Sequence, residues 1–187
     1  MSSSDNIIKK ILKDIRVELA DEFDQNFARQ GFFSEAWARH RTPMRQGSHI
    51  LVKTGNLRRS IRSNVEDRAI TFSSDLIYAG IHNEGGKIRV TARMKRYFWA
   101  RYYETTGGFK RRKNGSLSKS KKQVALSTEA EFWKHMALMK VGSEITIPRR
   151  RFLGTSPELE KNVTDIIQKN LEEYFNTQVD NIRMKYE

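Results

Sequence analysis

Four histidines carry the side chains best suited to acid–base chemistry near neutral pH, and they stand apart from one another in the sequence. They are His40, His49, His82 and His135. His82 is followed by Glu84 and two glycines, and an imidazole at such a place could act as a general base. The plainer interpretation, which we favour, is that His82 hydrogen-bonds the turn that it begins.

The motifs of common enzyme classes do not occur in the sequence. There is no G-x-S-x-G stretch for a serine hydrolase, no H-E-x-x-H for zinc and no G-x-x-x-x-G-K-[ST] loop for phosphate. The chain has no cysteine, which excludes a thiolate nucleophile, a disulfide and an iron–sulfur cluster. Asp21, Glu22 and Asp24 fit the solvated flank of a helix better than a metal site. We therefore expect no enzymatic activity, no cofactor and no metal.

The positive charge is concentrated in one stretch of the chain. The 187 residues include 35 Lys and Arg against 22 Asp and Glu, a formal net charge of +13. Residues 87–122 contain 13 basic and 1 acidic residue, whereas the flanks before and after them have net charges of +2 and −1. This pattern indicates a basic insertion in an otherwise ordinary domain, which calls for an anionic partner.

Two partners suit the distal part of this insertion. Its cationic residues are Lys110, Arg111, Arg112, Lys113, Lys119, Lys121 and Lys122. They could contact DNA phosphates without reading bases, because no base-reading motif accompanies them. Alternatively, they belong to a solvated, disordered loop that becomes ordered against an acidic neighbouring protein.

The length favours one domain over residues 1–187. Within it we expect an insertion at 87–143, with a mobile loop at about 105–122 that is rich in Gly, Ser, Lys and Arg. The apolar runs are too short to span a membrane, and the first residues do not resemble a signal peptide. A chain without disulfides fits a reducing cytoplasm.

Periodicity and capping residues predict three long helices. The first has apolar residues every four positions, at Ile7, Ile11, Ile15, Leu19, Phe23 and Phe27. Ser4 or Asp5 is its expected cap and Gly31 its expected stop. A second helix is predicted from about Glu129, after a capping box formed by Thr128 and Glu131.

The third helix is predicted from Ser156 as cap and Pro157 in its first turn. Its apolar positions predict a buried stripe: Leu159, Val163, Ile166, Ile167, Leu171, Tyr174, Phe175, Val179 and Ile182.

Alternating apolar residues predict a small sheet between the helices. Ile61 to Val65 and Ile70 to Phe72 are typical of a hairpin. A third strand is expected over residues 88–94, and a brief strand at 145–147 that Pro148 terminates. The predicted fold class is α+β: a small antiparallel sheet packed against N-terminal and C-terminal helices, with a basic, aromatic-rich insertion between strands.

Three separated stretches, here called the signature segments, carry a family resemblance. The first contains Leu51, Thr54, Gly55, Leu57, Ser60 and Ile61; the second contains Tyr78, Ala79, Ile81, His82, Glu84, Gly85 and Gly86; the third contains Ile147, Pro148, Arg150, Phe152, Leu153 and Gly154. Read together and in this order, they resemble the bacteriophage virion morphogenesis family, the tail-completion proteins related to the G protein of phage Mu. Gly55 and the pair Gly85 and Gly86 permit sharp turns, so we interpret the segments as scaffold rather than as a reactive centre.

The resemblance implies a structural protein of a phage or prophage that completes the tail or joins the tail to the head. It implies a ring of identical subunits, other phage head and tail proteins as partners, and a location in the host cytoplasm during assembly and then in the virion. The rival class is a sequence-independent nucleic-acid-binding protein that acts through the basic insertion.

Residues 94–104 offer a candidate contact for such a ring. They are expected to form a helix with five aromatic residues, Tyr97, Phe98, Trp99, Tyr102 and Tyr103, beside Lys95, Arg96 and Arg101. Aromatic residues and arginine are typical interface anchors. The alternative is that these rings simply pack on the second helix.

Overall fold

The computed structural model describes residues 3–40, 49–107, 109, 115 and 121–186. Its helices are α1 (Ser3–Arg29), α2 (Asn56–Arg59), α3 (Ala79–Glu84), α4 (Ala92–Gly107), α5 (Lys121–Leu138) and α6 (Pro157–Tyr186). Its strands are β1 (Gly31–Phe32), β2 (Glu35–Ala36), β3 (Ile61–Glu66), β4 (Ala69–Ser74), β5 (Gly86–Arg89) and β6 (Glu144–Ile147). The predicted α+β class is confirmed.

The chain divides into two compact units. The first comprises Met1–Trp37, His49–Asn83 and Arg150–Glu187, and the second comprises Ala38–Ser48 and Glu84–Arg149. The first unit therefore contains the long helices α1 and α6, and the second contains α4 and α5, here called the helical arm. The expected insertion at 87–143 falls within the second unit.

Helices α1 and α6 form one core of the first unit. Ile15, Leu19 and Phe23 on α1 are buried together with Phe32 and with Leu159 on α6, as the four-residue periodicity of the first helix predicts. The start of α6 is also confirmed, because the Leu159 amide donates to the Ser156 hydroxyl at 3.1 Å.

The apolar stripe of α6 is only partly buried. Val163, Ile166 and Ile167 pack against the core with α1. By contrast, Phe175, Val179 and Ile182 are exposed, so the expectation of a buried stripe along the whole helix is wrong. At 3.6 residues per turn, Phe175, Val179 and Ile182 are rotated around the helix axis to a different face from Val163 and Ile167.

The described strands form three separate two-stranded antiparallel ribbons rather than one sheet. The predicted hairpin is confirmed as β3 and β4, with Val65 opposite Ile70. β5 pairs instead with β6, and Gly86 lies opposite Ile147. The third strand ends at Arg89 rather than at Met94. The reason is local: the Thr91 side chain accepts from the Met94 amide at 3.2 Å, which caps α4 where alternation alone predicted strand.

The helical arm begins and ends at different residues from those predicted. Both ends of the expected loop at 105–122 are helical, since Thr105–Gly107 belong to α4 and Lys121 begins α5. Most of the residues between them lie outside the described part of the chain. The capping box at Thr128 is also wrong. Its hydroxyl donates to the Val124 carbonyl at 3.1 Å, a bond made inside a continuing helix.

Two further boundaries differ from expectation. The first helix ends at Arg29, and Gln30 rather than Gly31 takes the left-handed conformation, with φ of 58°. Residues 79–84 form α3, where a turn beginning at His82 was expected. β1 and β2 pair in a short ribbon directly after α1, and Trp37, the residue after β2, is buried.

Candidate functional site

The third signature segment is held by hydrogen bonds from the side chain of Asn83, the next-to-last residue of α3. Its Oδ1 accepts from the backbone amides of Phe152 at 2.9 Å and Leu153 at 3.0 Å. Its Nδ2 donates to the Leu153 carbonyl at 3.0 Å. One side-chain amide thus satisfies three backbone groups that no regular element would pair.

Two residues outside the signature segments bind the same stretch of backbone. Asn26 of α1 is fully buried, and its Nδ2 donates to the Phe152 carbonyl at 3.3 Å. The indole of Trp37 donates to the Arg151 carbonyl at 2.6 Å. Residues 151–153 therefore have a conformation fixed from two sides by buried or half-buried donors.

The three signature segments meet in one apolar cluster of the first unit. Leu57, Ala79 and Phe152 come from the first, second and third segments and are buried with Phe27 and Trp37. The ring of Phe27 lies 5.4 Å from that of Phe152 and 5.5 Å from that of Trp37, measured between centroids. The segments share a core and not a sheet, which gives their apolar residues a scaffolding role.

Gly85 has a strict conformational requirement. Its φ is +74°, and a Cβ built there would lie 2.8 Å from the backbone nitrogen of Arg149. Both the left-handed conformation and the contact exclude a side chain. Gly55 likewise has φ of 70° and is the N-cap of α2. The Thr54 hydroxyl accepts from the Asn56 amide at 3.4 Å.

His82 lies within α3 and does not begin a turn, contrary to expectation. Its carbonyl accepts from the Arg150 amide at 2.8 Å, whereas its buried Nδ1 has no hydrogen-bond partner among the residues that the structure describes. Burial lowers the pKa of His82, and the positive charge of Arg150 lowers it further. A neutral imidazole facing a guanidinium lacks the orienting acid that general-base catalysis usually employs.

The aromatic residues of α4 divide between two settings. Phe98 is buried, and its ring stacks on Trp133 of α5 at 6.1 Å, while Tyr97 meets the edge of the same indole at 6.0 Å. Arg101 lies over Trp133 at 5.6 Å and pairs with Glu129 at 3.5 Å. These contacts join α4 to α5, so packing on the second helix accounts for Phe98 and part of Tyr97.

The other three rings contact one another. Trp99 stacks on Tyr103 at 5.8 Å, and Tyr102 meets the edges of both at 5.7 and 5.4 Å. Tyr103 is 64% exposed. Arg96, also exposed, lies three residues before Trp99 and seven before Tyr103, which places all three on one helix face. We call Arg96, Trp99 and Tyr103 the arm patch.

A family model of the phage virion morphogenesis family matches residues 3–172. The chain belongs to the phage virion morphogenesis family. No curated protein and no solved structure matches it significantly. Membership of this family implies a role in assembling phage particles and interaction with other phage proteins. The match includes all three signature segments and the helical arm, and it ends within α6.

The basic residues singled out in this family member lie mostly outside the described residues. Lys110, Arg111, Arg112, Lys113 and Lys119 are in that group. Lys121 and Lys122 are in the first turn of α5. Their contact with phosphate or with an acidic protein stays a prediction.

Two of the three clustered acidic residues of α1, Asp24 and Glu22, make ion pairs. Arg58 donates through Nε and Nη2 to both carboxylate oxygens of Asp24, and these hydrogen bonds lower the pKa of that carboxyl group. Glu22 pairs with Arg29 at 2.8 Å. Within the described ranges no three His, Asp or Glu residues are grouped closely enough to hold a metal ion. No helix there is long and apolar enough to cross a bilayer.

Sequence reasoning missed the two asparagines that hold residues 151–153. Asn26 had a usable signal, because it lies three residues after Phe23 and seven after Leu19, inside the buried stripe of α1. A polar residue at such a position needs a partner. Asn83 had no comparable signal, since its role depends on a segment about seventy residues later.

Proposed function

We propose that this family member completes the phage tail or joins the tail to the head, as a non-catalytic ring of identical subunits. In this view it acts in the host cytoplasm during assembly and then stays in the virion. The signature segments support the proposal because their side chains are used for packing and backbone hydrogen bonds. Such residues build a frame, and function then depends on the surfaces that the frame presents.

The arm patch is the observation that carries the proposal. Its two rings, Trp99 and Tyr103, stack on each other and contact Tyr102, and Tyr103 is mostly exposed. With Arg96 on the same helix face, they give an apolar surface with a cationic edge. Aromatic residues and arginine dominate the binding energy of protein interfaces, because they bury a large area at little cost in side-chain freedom.

Particle assembly tests the proposal directly. A phage genome lacking this chain should yield heads and tails that remain separate or tails that end abnormally in electron micrographs. Wild-type protein supplied in trans should restore intact particles, and Tyr103→Ser should restore far fewer. Val141→Ser, which changes a similarly exposed apolar residue of the same unit, serves as the control. Normal particles without the chain would refute the assembly role.

Self-association tests the ring. Light scattering of the purified chain should give a mass of several subunits, and Trp99→Ala should lower it. Trp99 is half-buried, so thermal unfolding of the variant must accompany the measurement. If the variant stays folded and its mass is unchanged, the helical arm is not part of the interface between subunits.

Sequence-independent binding of nucleic acid is the second candidate function, favoured by the net charge of +12 over residues 87–122. Titration with duplex DNA tests it. If six to ten phosphates are neutralised, affinity should fall roughly 10³- to 10⁵-fold between 50 and 200 mM salt. Replacing residues 108–120, which contain five of the 13 basic residues, with a neutral linker of equal length should make that dependence markedly shallower. Neutralising Lys9, Lys13, Lys161 and Lys169 on α1 and α6 provides the control.

A further inference from the structure

The second half of α6 carries an apolar stripe that the core of the first unit does not use. Phe175, Val179 and Ile182 are spaced by four and three residues and so lie on one face. Phe175 is 60% exposed and Ile182 is 57% exposed. We call these three residues the outward stripe. They lie beyond the residues that the family model matches, so family membership gives no information about their role.

Acidic residues predominate along the first part of the outward stripe, whereas the exposed Arg183 lies at its far end, one residue after Ile182. Between residues 170 and 182 the chain has Glu172, Glu173 and Asp180 and no lysine or arginine. Glu173 is engaged by Lys10 of α1 at 2.7 Å. Glu172 is exposed and lies three residues before Phe175 and seven before Val179, which places its carboxylate at the edge of the stripe.

The arm patch has the opposite character. Trp99 and Tyr103 give an apolar face, and Arg96 lies at its edge. The stretch from 87 to 107 contains six basic residues and one acidic residue, Glu104. The two surfaces are therefore complementary in both respects: apolar area can meet apolar area, and a cationic edge can meet an anionic one.

We infer that the outward stripe of α6 is the surface that receives the arm patch of a second copy of this chain. The inference rests on the proposed ring, because a closed ring of identical subunits is built from two different patches that fit one another. Arg96 of one copy then lies against Glu172 of the next, and the rings of Trp99 and Tyr103 lie against Phe175 and Val179.

Mixing two disabled variants tests this pairing. The arm variant carries Arg96→Glu and Tyr103→Ser, and the stripe variant carries Glu172→Arg and Phe175→Ser. Each alone should associate about tenfold or more weakly than wild type in sedimentation or light scattering. Mixed in equal amounts, they should form a heterodimer and nothing larger, because only one intact arm patch and one intact stripe remain.

Two companion variants sharpen the experiment. A single chain with Arg96→Glu and Glu172→Arg should recover association, since the charges are exchanged across the same contact. Val17→Ser changes a residue of α1 with the same 57% exposure as Ile182 and should leave association unchanged. Thermal unfolding of every variant checks that the substitutions, all at exposed positions, leave the fold intact.

The outcomes separate the pairing from the ring. Wild-type protein that stays monomeric at its highest soluble concentration would refute both. Wild-type protein that associates while the two variants associate equally well would refute the pairing and keep the ring. If the arm variant alone forms dimers as stable as those of the wild type, the stripe of one copy contacts the stripe of another. That result also contradicts the inference.

Discussion

Residues 150–153 and helix α4 use their aromatic side chains in different ways. Phe152 is 1% exposed and packs on Phe27, while its backbone is bound by Asn26 and Asn83. On α4, Phe98 is buried against Trp133, but Tyr103 projects into solvent from a stack with Trp99. The comparison shows that aromatic content alone does not distinguish scaffold from surface, because Phe152 and Phe98 are buried whereas Tyr103 is exposed.

Phe152→Ala should produce the largest effect. Removing a fully buried ring leaves a cavity in the signature core, and we expect the free energy of unfolding to fall by about 3–5 kcal/mol. Tyr103→Ala should change it by no more than about 0.5 kcal/mol, because that ring is exposed. Denaturant unfolding measures both. Similar losses for the two variants would contradict the division between scaffold and surface.

Asn83→Ala should produce the second-largest loss of stability. It leaves the amides of Phe152 and Leu153 without the acceptor they have in the structure, and we expect a loss of about 1–3 kcal/mol in the same measurement. Asn64→Ala is the matched control, because Asn64 makes an exposed hydrogen bond to Glu66 whose removal should cost little. If the two variants are equally stable, the backbone of residues 152–153 does not depend on this amide.

Two glycines, one at the start of α3 and one just after its end, should respond in opposite directions. Gly85→Ala forces a side chain into a left-handed conformation and against Arg149, which we expect to destabilise by about 1–3 kcal/mol. Gly80→Ala is made within α3, where a new Cβ meets nothing within 4 Å. It should stabilise the protein by about 0.5–1 kcal/mol. Thermal unfolding of both variants gives the signs, and a stabilised Gly85→Ala would be incompatible with this geometry.

The smallest effect concerns pH. Because the pKa of His82 is lowered in the folded protein, the unfolded chain binds its proton more readily. Stability should therefore be full above the ordinary pKa of about 6.5 and should fall as the pH drops towards the folded value. His82→Gln should flatten this part of the profile, whereas His135→Gln, an exposed change in the arm, serves as the control. If wild type and His82→Gln lose stability in acid to the same extent, the folded protein does not disfavour protonation of His82.

Local chemistry made much of the fold predictable. The hairpin of β3 and β4, the caps of α6 and the inward face of α1 depend on residues close in sequence. Two of the errors have a common cause. Thr91 and Thr128 both favour local side-chain bonds, and only the later course of the chain decides whether such a bond begins a helix or continues one.

The candidate site was predictable to a lesser degree. The aromatic residues of α4 were found because of their density, yet their division into buried Phe98 and exposed Tyr103 depends on Trp133, which lies beyond the basic stretch. The outward stripe of α6 was predicted as buried because its spacing resembles that of a core face. Periodicity identifies an apolar face without naming what covers it.

Gly86 and Ile147 stand opposite each other on a single rung of β5 and β6. Gly86 begins β5 and Ile147 ends β6, so the whole segment between them starts and finishes at one pair of neighbouring residues. The segment between these two paired residues can therefore change in length without moving either of them.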